Sequence, residues 1–296
     1  MPSVRELVLV GKAQLAANKI SEVDAEIFIA HLLGVERKEL HSYPNEMPEE
    51  QFIDLKRDFN HFITERINGA PTQYLVGQAP FRYLVFNVGP GVLIPRPETE
   101  LLVDAALREI KDIFEKQKRT VSVVDLGAGS GAIAISVAFE AQKHNFPVTV
   151  VAVEKEAAAV EWLKKNIQKY EVEIRVVHGD VANALEGVSA DIVIANPPYI
   201  PERIDLPREV RREPLSALIG GVDGSEIPKR FIDAAERMVK PGGLFILEHF
   251  EDHGPILAEY LKSGFTDISL HSDLTQRPRW TSARRKSSID IQGQVR

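Results

Sequence analysis

Val121-Ser122-Val123-Val124-Asp125-Leu126-Gly127-Ala128-Gly129-Ser130-Gly131 decides how this 296-residue chain is read. The apolar run Val121–Leu126 predicts a strand, and residues 132–141 predict a helix directly behind it. Three glycines alternate through the turn between them. Glycine adopts backbone conformations closed to other residues and lets a ligand approach the chain closely. The spacing is G-x-G-x-G with alanine at 132, so it is not the G-x-G-x-x-G dinucleotide fingerprint, and no G-K-[ST] follows to cradle phosphates. Two alternatives stand at this point: a nucleotide-binding turn of another kind, and a tight turn with a purely structural purpose.

Downstream of this turn, short apolar runs alternate with helical patterns. Strands are predicted at 148–153, 174–177, 191–195 and 244–247, and helices at 156–170 and 226–239. Such alternation defines an α/β fold, a mostly parallel sheet with helices on both faces. Ligands of such sheets bind beyond the C-terminal ends of the strands. Upstream, residues 1–75 read as a small helical domain. Val23, Ile27, Leu32 and Leu33 sit at helical spacing ahead of Gly34, and Phe52, Leu55, Phe59, Phe62, Ile63 and Ile67 form one apolar face that ends at Gly69-Ala70-Pro71. Residues 76–97 predict a β-hairpin connector, with a strand at 81–88, a turn at Gly89-Pro90-Gly91 and a partner at Val92-Leu93-Ile94. Pro95 and Pro97 lead into Glu98, Glu100 and a helix at 101–110, acidic residues suiting a helix N-terminus. Residues 98–285 then form the main domain, and 286–296 a polar tail outside the fold.

Composition narrows the function. The chain is 44% hydrophobic and 27% charged, as in globular proteins, and no run approaches the roughly 20 apolar residues that span a bilayer. Early charges at Arg5 and Glu6, with no small-residue cleavage site, predict no leader peptide. The absence of cysteine excludes disulfides, thiolate metal sites and cysteine nucleophiles. A net charge of −7 argues against binding nucleic acid through its phosphates. The eight histidines show no metal-ligand spacing, so no metal is expected.

The chemistry-bearing residues fall where strands end. Glu154 closes the second strand, placed to accept hydrogen bonds from the two ribose hydroxyls of a nucleoside. Asp180 follows the third strand, within reach of an adenine amino group, although Asp after Gly is also ordinary turn chemistry. Asp125 either anchors the glycine turn or meets a ligand ammonium. The fourth strand runs into Asn196-Pro197-Pro198-Tyr199. An amide or aromatic-amine nitrogen is a weak nucleophile because its lone pair is delocalised. Asn196 Oδ1 and the Pro197 carbonyl supply two acceptors for its two N–H bonds, the prolines stiffen the turn, and Tyr199 offers a flat face for stacking.

With these motifs placed, the chain resembles the Rossmann-like class I S-adenosylmethionine-dependent methyltransferases. It resembles more closely the peptide-chain-release-factor glutamine methyltransferases, the HemK/PrmC family. The likeness covers nearly the whole chain and includes Leu93-Ile94-Pro95-Arg96-Pro97-Glu98-Thr99-Glu100, Glu213-Pro214-Leu215-Ser216-Ala217-Leu218 and Leu247-Glu248-His249. Asn-Pro-Pro-Tyr alone is shared with adenine-N6 DNA methyltransferases; the Ile94–Glu100 segment narrows the choice.

The resemblance implies S-adenosylmethionine as methyl donor, held by Gly127, Ala128, Gly129, Ser130, Gly131, Glu154, Asp180, Val181 and Asn196, with Asn196, Pro197, Pro198 and Tyr199 as the catalytic clamp. It implies as substrate the glutamine of the Gly-Gly-Gln motif in class 1 peptide chain release factors, methylated at the side-chain amide N5 in the cytoplasm, with neither membrane nor stable nucleic-acid binding. Val181 departs from the aromatic residue the family often has beside the adenine. The helical domain is expected to recognise the release factor; capping the core of the main domain is the alternative. Competing functions are N-methylation of a nucleic-acid base (adenine N6 or guanine N2) and a non-catalytic binding module on the same fold.

Overall fold

The computed structural model describes residues 3–44 and 47–287. The chain divides into two compact units, one of Met1–Gln78 with Leu206–Arg212, the other of Ala79–Asp205 with Glu213–Arg296. Among the described residues, no helix is long and apolar enough to cross a membrane. The tail expected from 286 onward lies, from Ser288, outside the described residues.

The first unit carries α1 (Val4–Ala17), α2 (Val23–Leu33), α3 (Glu49–Ile67) and the short α4 (Thr72–Val76). Helix α2 stops where the sequence said it would, at Gly34, whose φ of 67° lets its amide turn back to Ala30 O. Leu7, Leu15, Phe28, Ile29, Phe52, Phe59 and Ile63 make its core. Helices α1 and α3 touch at Gly11, where a Cβ would sit 2.5 Å from Phe59 Cζ. The buried Asp24 accepts from Arg66 Nε at 2.7 Å. Residues 206–212 join this unit through a short set of polar contacts. Arg66 pairs with Glu209, Arg208 donates to Ile67 O, and Arg212 donates to Asn68 O. The C-terminal carbonyls of α3 thus find their partners in arginines distant in sequence.

The second unit opens with a hairpin, β1 (Gln78–Phe81) and β2 (Leu84–Asn87), and then α5 (Glu100–Gln117). This corrects the expected connector. The chain reverses at Arg82-Tyr83, not at Gly89-Pro90-Gly91, and Val92–Ile94 is not a strand. Arg82 holds a φ of 52° because tertiary contacts fix it. Its amide donates to Glu100 Oε1, and its guanidinium meets Glu140, Asp104 and the Glu100 carbonyl. The glycines at 89 and 91 serve a different purpose, close approach to the next helices: a Cβ at Gly89 would lie 2.6 Å from Trp162. Ile94 N–H goes to Glu213 Oε2 and not to a ladder.

From there the order is β3 (Val121–Leu126), α6 (Ala132–Lys143), β4 (Val148–Glu154), α7 (Ala157–Tyr170), β5 (Ile174–His178), β6 (Ala190–Ala195), β7 (Ile200–Pro201), β8 (Ile219–Gly221), α8 (Glu226–Met238), β9 (Val239–Glu248), α9 (Gly254–Leu261), β10 (Phe265–Ser272) and β11 (Pro278–Arg285). Among the described residues, the main sheet runs β10-β11-β9-β6-β3-β4-β5. Strands β9 to β5 in that order are parallel; β11 and β10 add an antiparallel edge that the sequence reading did not resolve. Val124, Leu126, Val193, Ala195, Phe245 and Leu247 share one buried face with Ile232, Ala235, Leu257 and Leu261 of α8 and α9. Helices α5, α6 and α7 contact one another in series and pack on β3, β4, β6 and β9.

The Arg82–Glu140 pair is 8% exposed at both side chains, with Nε–Oε1 at 2.5 Å. Glu140→Ala removes both charge-assisted hydrogen bonds to Glu140 while Asp104 and the Glu100 carbonyl still hold Arg82, so it is expected to lower unfolding free energy by about 1.5–3 kcal/mol. Urea unfolding followed by circular dichroism measures this; a loss below about 1 kcal/mol, as for a surface pair, would refute it.

Candidate active site

The glycine turn is built from backbone hydrogen bonds and positive φ angles. Gly127, Gly129 and Gly131 have φ of 73°, 55° and 85°. The amides of Gly127 and Ala128 both donate to Val153 O at 2.9 Å, and Gly131 N–H closes on Ala128 O. The glycines serve different ends. A Cβ at Gly131 would lie 2.5 Å from Leu163 Cδ1, so that glycine lets α6 pack. A Cβ at Gly129 would meet nothing nearer than Val92 at 4.0 Å, so its backbone faces open space. The buried Asn166 amide ties the turn to the hairpin, donating to Ser130 O and Asn87 O and accepting from Asn87 N–H. Asp125 is fully buried and does not line the cavity. Its Oδ2 accepts from Ala134 N at 3.1 Å, satisfying a free amide in the first turn of α6, while Oδ1 has no partner among the described residues. Burial pushes its carboxyl up to about 7, against the Ala134 hydrogen bond and with the help of the nearby Glu154 charge.

Glu154 ends β4 as a buried carboxylate. Oε2 accepts from Gly129 N, and Oε1 from Lys155 N and Glu156 N, each at 2.8 Å. Three of its roughly four acceptor positions are therefore already used. Asp180 turns Oδ1 onto Ala182 N at 2.9 Å.

Asn196 follows β6. Its Nδ2 donates to Thr99 Oγ1 at 3.0 Å, Thr99 Oγ1 donates to Glu248 Oε2 at 2.6 Å, and Tyr199 OH donates to Glu248 Oε1 at 3.0 Å. Neither Asn196 Oδ1 nor the Pro197 carbonyl oxygen accepts a hydrogen bond from the described residues. Burial raises the Glu248 carboxyl to about 7, opposed by the Thr99 and Tyr199 hydrogen bonds and by Arg279, and raises the Tyr199 phenol as well. Nearby, Arg96 pairs with the buried Glu213.

One cavity, about 240 Å³, joins these parts and far exceeds the roughly 10–15 Å³ that holds one water. Gly127, Ala128, Gly129, Ser130, Glu154, Asp180, Val181, Asn196 and Pro198 line it; Gly131, Pro197 and Tyr199 do not. Residues the sequence reading did not single out also line it, among them Val92, Arg96, Thr99, Ile227 and Phe231. Arg96 and Thr99 lie inside the proline-rich segment quoted above, but only the fold shows them facing the glycine turn. Among the described residues, no group of histidine, aspartate and glutamate is arranged to hold a metal ion.

A parallel sheet with a glycine turn after its first main strand, an acid after the next and one cavity over the strand ends defines a class I methyltransferase domain. A T. thermophilus 16S rRNA methyltransferase solved with AdoMet and guanosine shares this fold, with a TM-score of 0.50 and 22% identity over 71% of this chain and 50% of that one. The family model described as Methyltransferase small domain matches residues 100–209, and the one described as PrmC N-terminal domain matches residues 6–77. A release factor glutamine methyltransferase of Mycolicibacterium smegmatis is 36% identical over 293 residues, 96% of this chain and 99% of its own. That of Bifidobacterium longum is 38% identical over 280 residues, 88% and 92% of the two chains. The chain belongs to the release factor glutamine methyltransferase family.

Asp125 makes stability pH-dependent. Its folded carboxyl, at about 7, lies above its ordinary value of 3.8, so the folded protein holds a proton that the unfolded chain has released between those values. Stability from this group therefore falls as pH rises through that window. Asp125→Asn keeps an acceptor for Ala134 N–H without the titration. The parent is expected to lose more unfolding free energy than Asp125→Asn between about pH 5 and 7.5; parallel pH profiles in urea unfolding would refute the assignment.

Proposed function

We propose that this protein transfers a methyl group from S-adenosylmethionine to the side-chain amide nitrogen of the glutamine in the Gly-Gly-Gln motif of class 1 peptide chain release factors. The observation that carries this reading is the pair of free acceptors just beyond β6, Asn196 Oδ1 on a residue that lines the cavity and the carbonyl oxygen of the adjoining Pro197. Two acceptors suit a primary amide, which has two N–H bonds to give. Held this way, the nitrogen is aimed at the methyl group, and the positive charge it acquires is stabilised as it forms. The nitrogen forms its bond to the methyl carbon as the sulfur–methyl bond breaks and the sulfonium leaves as a neutral thioether. The nitrogen, acidic once methylated, releases its extra proton to solvent, so no tuned base is needed beforehand. With its hydroxyl tied to Glu248, Tyr199 contributes its ring and not an acid or base.

The residues present suit the cofactor. S-adenosylmethionine supplies an electrophilic methyl on a sulfonium. The open backbone at Gly129 accommodates a ligand pressed against the turn, and Val92, Ile133, Val153 and Val181 give an apolar wall. In this reading Glu154 accepts a ribose hydroxyl at its remaining acceptor position, and a second hydroxyl competes with a loop amide. Asp180 keeps Oδ2 for the adenine amino group, and Val181 supplies apolar contact in place of aromatic stacking.

Incubation with labelled S-adenosylmethionine and a panel of class 1 release factors, tRNA, rRNA and DNA tests the reading. Label on the release-factor glutamine is expected; label on a nucleic-acid base instead overturns it. Two substitutions should separate the roles. Glu154→Ala removes charged hydrogen bonds worth about 1.5–3 kcal/mol, so cofactor affinity by calorimetry should fall roughly 10- to 150-fold. Asn196→Ala should lower the single-turnover rate by about 10²–10³ at saturating cofactor. Unchanged affinity in the first or a parent-like rate in the second would remove that residue from the site.

The helical unit is proposed to bind the release factor outside its Gly-Gly-Gln loop, and the meeting with translation factors implies a cytoplasmic location. A single loop offers little of the roughly 1,200–2,000 Å² that specific protein recognition buries. Leu9, Val10 and Ile53 are more than half exposed on α1 and α3 and offer apolar side chains to a partner. Replacing all three with serine is expected to raise KM for full-length release factor while leaving cofactor affinity and turnover of a short Gly-Gly-Gln peptide at parent values. An unchanged KM would assign the unit a structural role.

A further inference from the structure

The Asn196 amide has two faces, and the proposed reaction works with one of them. If Oδ1 faces the substrate, it accepts an N–H. If the amide is flipped by 180°, Nδ2 faces the substrate, opposing N–H to N–H. An asparagine side chain does not fix this orientation by itself; its hydrogen-bond partners do.

The partners here form a directed chain. Glu248 is wholly buried at the end of β9, and when ionised it only accepts. Thr99 has one hydroxyl proton and gives it to Glu248 Oε2 at 2.6 Å. What Thr99 Oγ1 has left for Asn196, 3.0 Å away, is a lone pair, so Asn196 must turn Nδ2 towards it. Tyr199 OH occupies the other carboxylate oxygen at 3.0 Å, so that oxygen is not free to compete for the threonine proton. Neither Thr99 nor Glu248 was assigned a role by motif.

We propose that Thr99 and Glu248 are positioning residues that lock the Asn196 amide with Oδ1 facing the substrate nitrogen. This rests on the reading of Asn196 as the substrate clamp. Neither residue gives or takes a proton in the reaction; each acts through the next.

Direction depends on charge. If Glu248 is protonated, it becomes a donor to Thr99 Oγ1. The threonine proton is then free to point at Asn196, and the flipped amide is tolerated. The titratable and charged groups acting on Glu248 are Tyr199 beyond β6, Glu98 ahead of α5 and Arg279 on β11; Arg96 acts on Tyr199, and the ring of His249, next in sequence, is committed to Phe250 O and Thr281. Arg279 favours the carboxylate, whereas burial and Glu98 oppose it, leaving the group near 7.

The test compares parent, Thr99→Val, Thr99→Ser and Glu248→Gln for kcat, KM, cofactor affinity by calorimetry and pH profile. Valine keeps the shape of threonine without the hydroxyl. Thr99→Val is expected to lower kcat on release factor by about 10- to 100-fold, well beyond any change in cofactor affinity. Thr99→Ser, which keeps the hydroxyl, should restore kcat to within about threefold of the parent. The parent's kcat should rise with pH through about 7, as Glu248 ionises, and that step should be missing in Thr99→Val and Glu248→Gln. The Asn196 side-chain NH₂ resonances, followed by NMR in the free protein, should shift and broaden in Thr99→Val. A parent-like kcat in Thr99→Val, an equal loss in the serine variant, or a pH step that survives in Thr99→Val overturns the proposal. If Glu248→Gln does not fold, the threonine pair and the NMR readout still decide. A parent enzyme inactive on release factors defeats the substrate reading instead, and the NMR comparison tests the lock independently of it.

Discussion

Adjacent parallel strands end together, and the arrangement of the site depends on that constraint. In the β3–β6 pair Leu126 lies opposite Ala195, so the next residues out are Gly127 and Asn196. On one side Val153 pairs with Leu126, and Glu154 follows; on the other Leu247 pairs with Ala195, and Glu248 follows. Four neighbouring strands therefore each deliver one group to a single edge, Glu154 and Glu248 as the last residues of β4 and β9, Gly127 and Asn196 as the first residues past β3 and β6. An antiparallel arrangement would send alternate strand ends to the opposite edge. The strand–helix–strand crossovers that keep these strands parallel thus also assemble the cavity.

That edge is also where the sheet runs out of backbone partners. Groups beyond the last ladder bond are removed from water but unpaired, and leaving them so is costly. The protein meets this need with buried side chains, of which Glu154 also lines the cavity and Asn166 does not. Glu154 satisfies three amides around the glycine turn, and Asn166 covers Ser130 O and both polar groups of Asn87. Much of the polar lining is therefore doubly used, shaping the loop and facing the ligand. A substitution at Glu154 disturbs the turn as well as the contact it offers, which is why its cost reads as an affinity and not as one hydrogen bond.

The parts legible in sequence were those encoded locally. The period of apolar residues in α3, the stop at Gly34 and the run 121–126 into alternating glycines all depend on near neighbours, and the structure has them as read. The hairpin turn was misplaced because Gly89-Pro90-Gly91 carries the stronger local signal, whereas Arg82 takes its positive φ from Glu100, Asp104 and Glu140. Strands β10 and β11 went unread because they alternate imperfectly at an antiparallel edge, with bulges in register. The Thr99–Glu248 contact spans 149 residues, and no spacing rule reaches that far. Likewise, residues 206–212 look like an ordinary loop in sequence; their arginines pair with α3 through the fold alone.

A buried carboxyl near 7 invites a reading of Glu248 as the general base. Geometry argues otherwise. Both oxygens already accept from Thr99 and Tyr199, the side chain has no exposed surface, and it does not line the cavity. A base must reach the proton it removes, directly or through one water. Glu248 reaches the substrate only through Thr99 and Asn196. Nor does the chemistry call for a base there, since the amide nitrogen is a poor base before transfer and an acid after it. What the nitrogen lacks is orientation and a stabilised positive charge, and fixed acceptors provide both. The raised carboxyl is then a consequence of burying an acceptor deeply enough to fix an amide, the desolvation cost being the physical price of a rigid clamp.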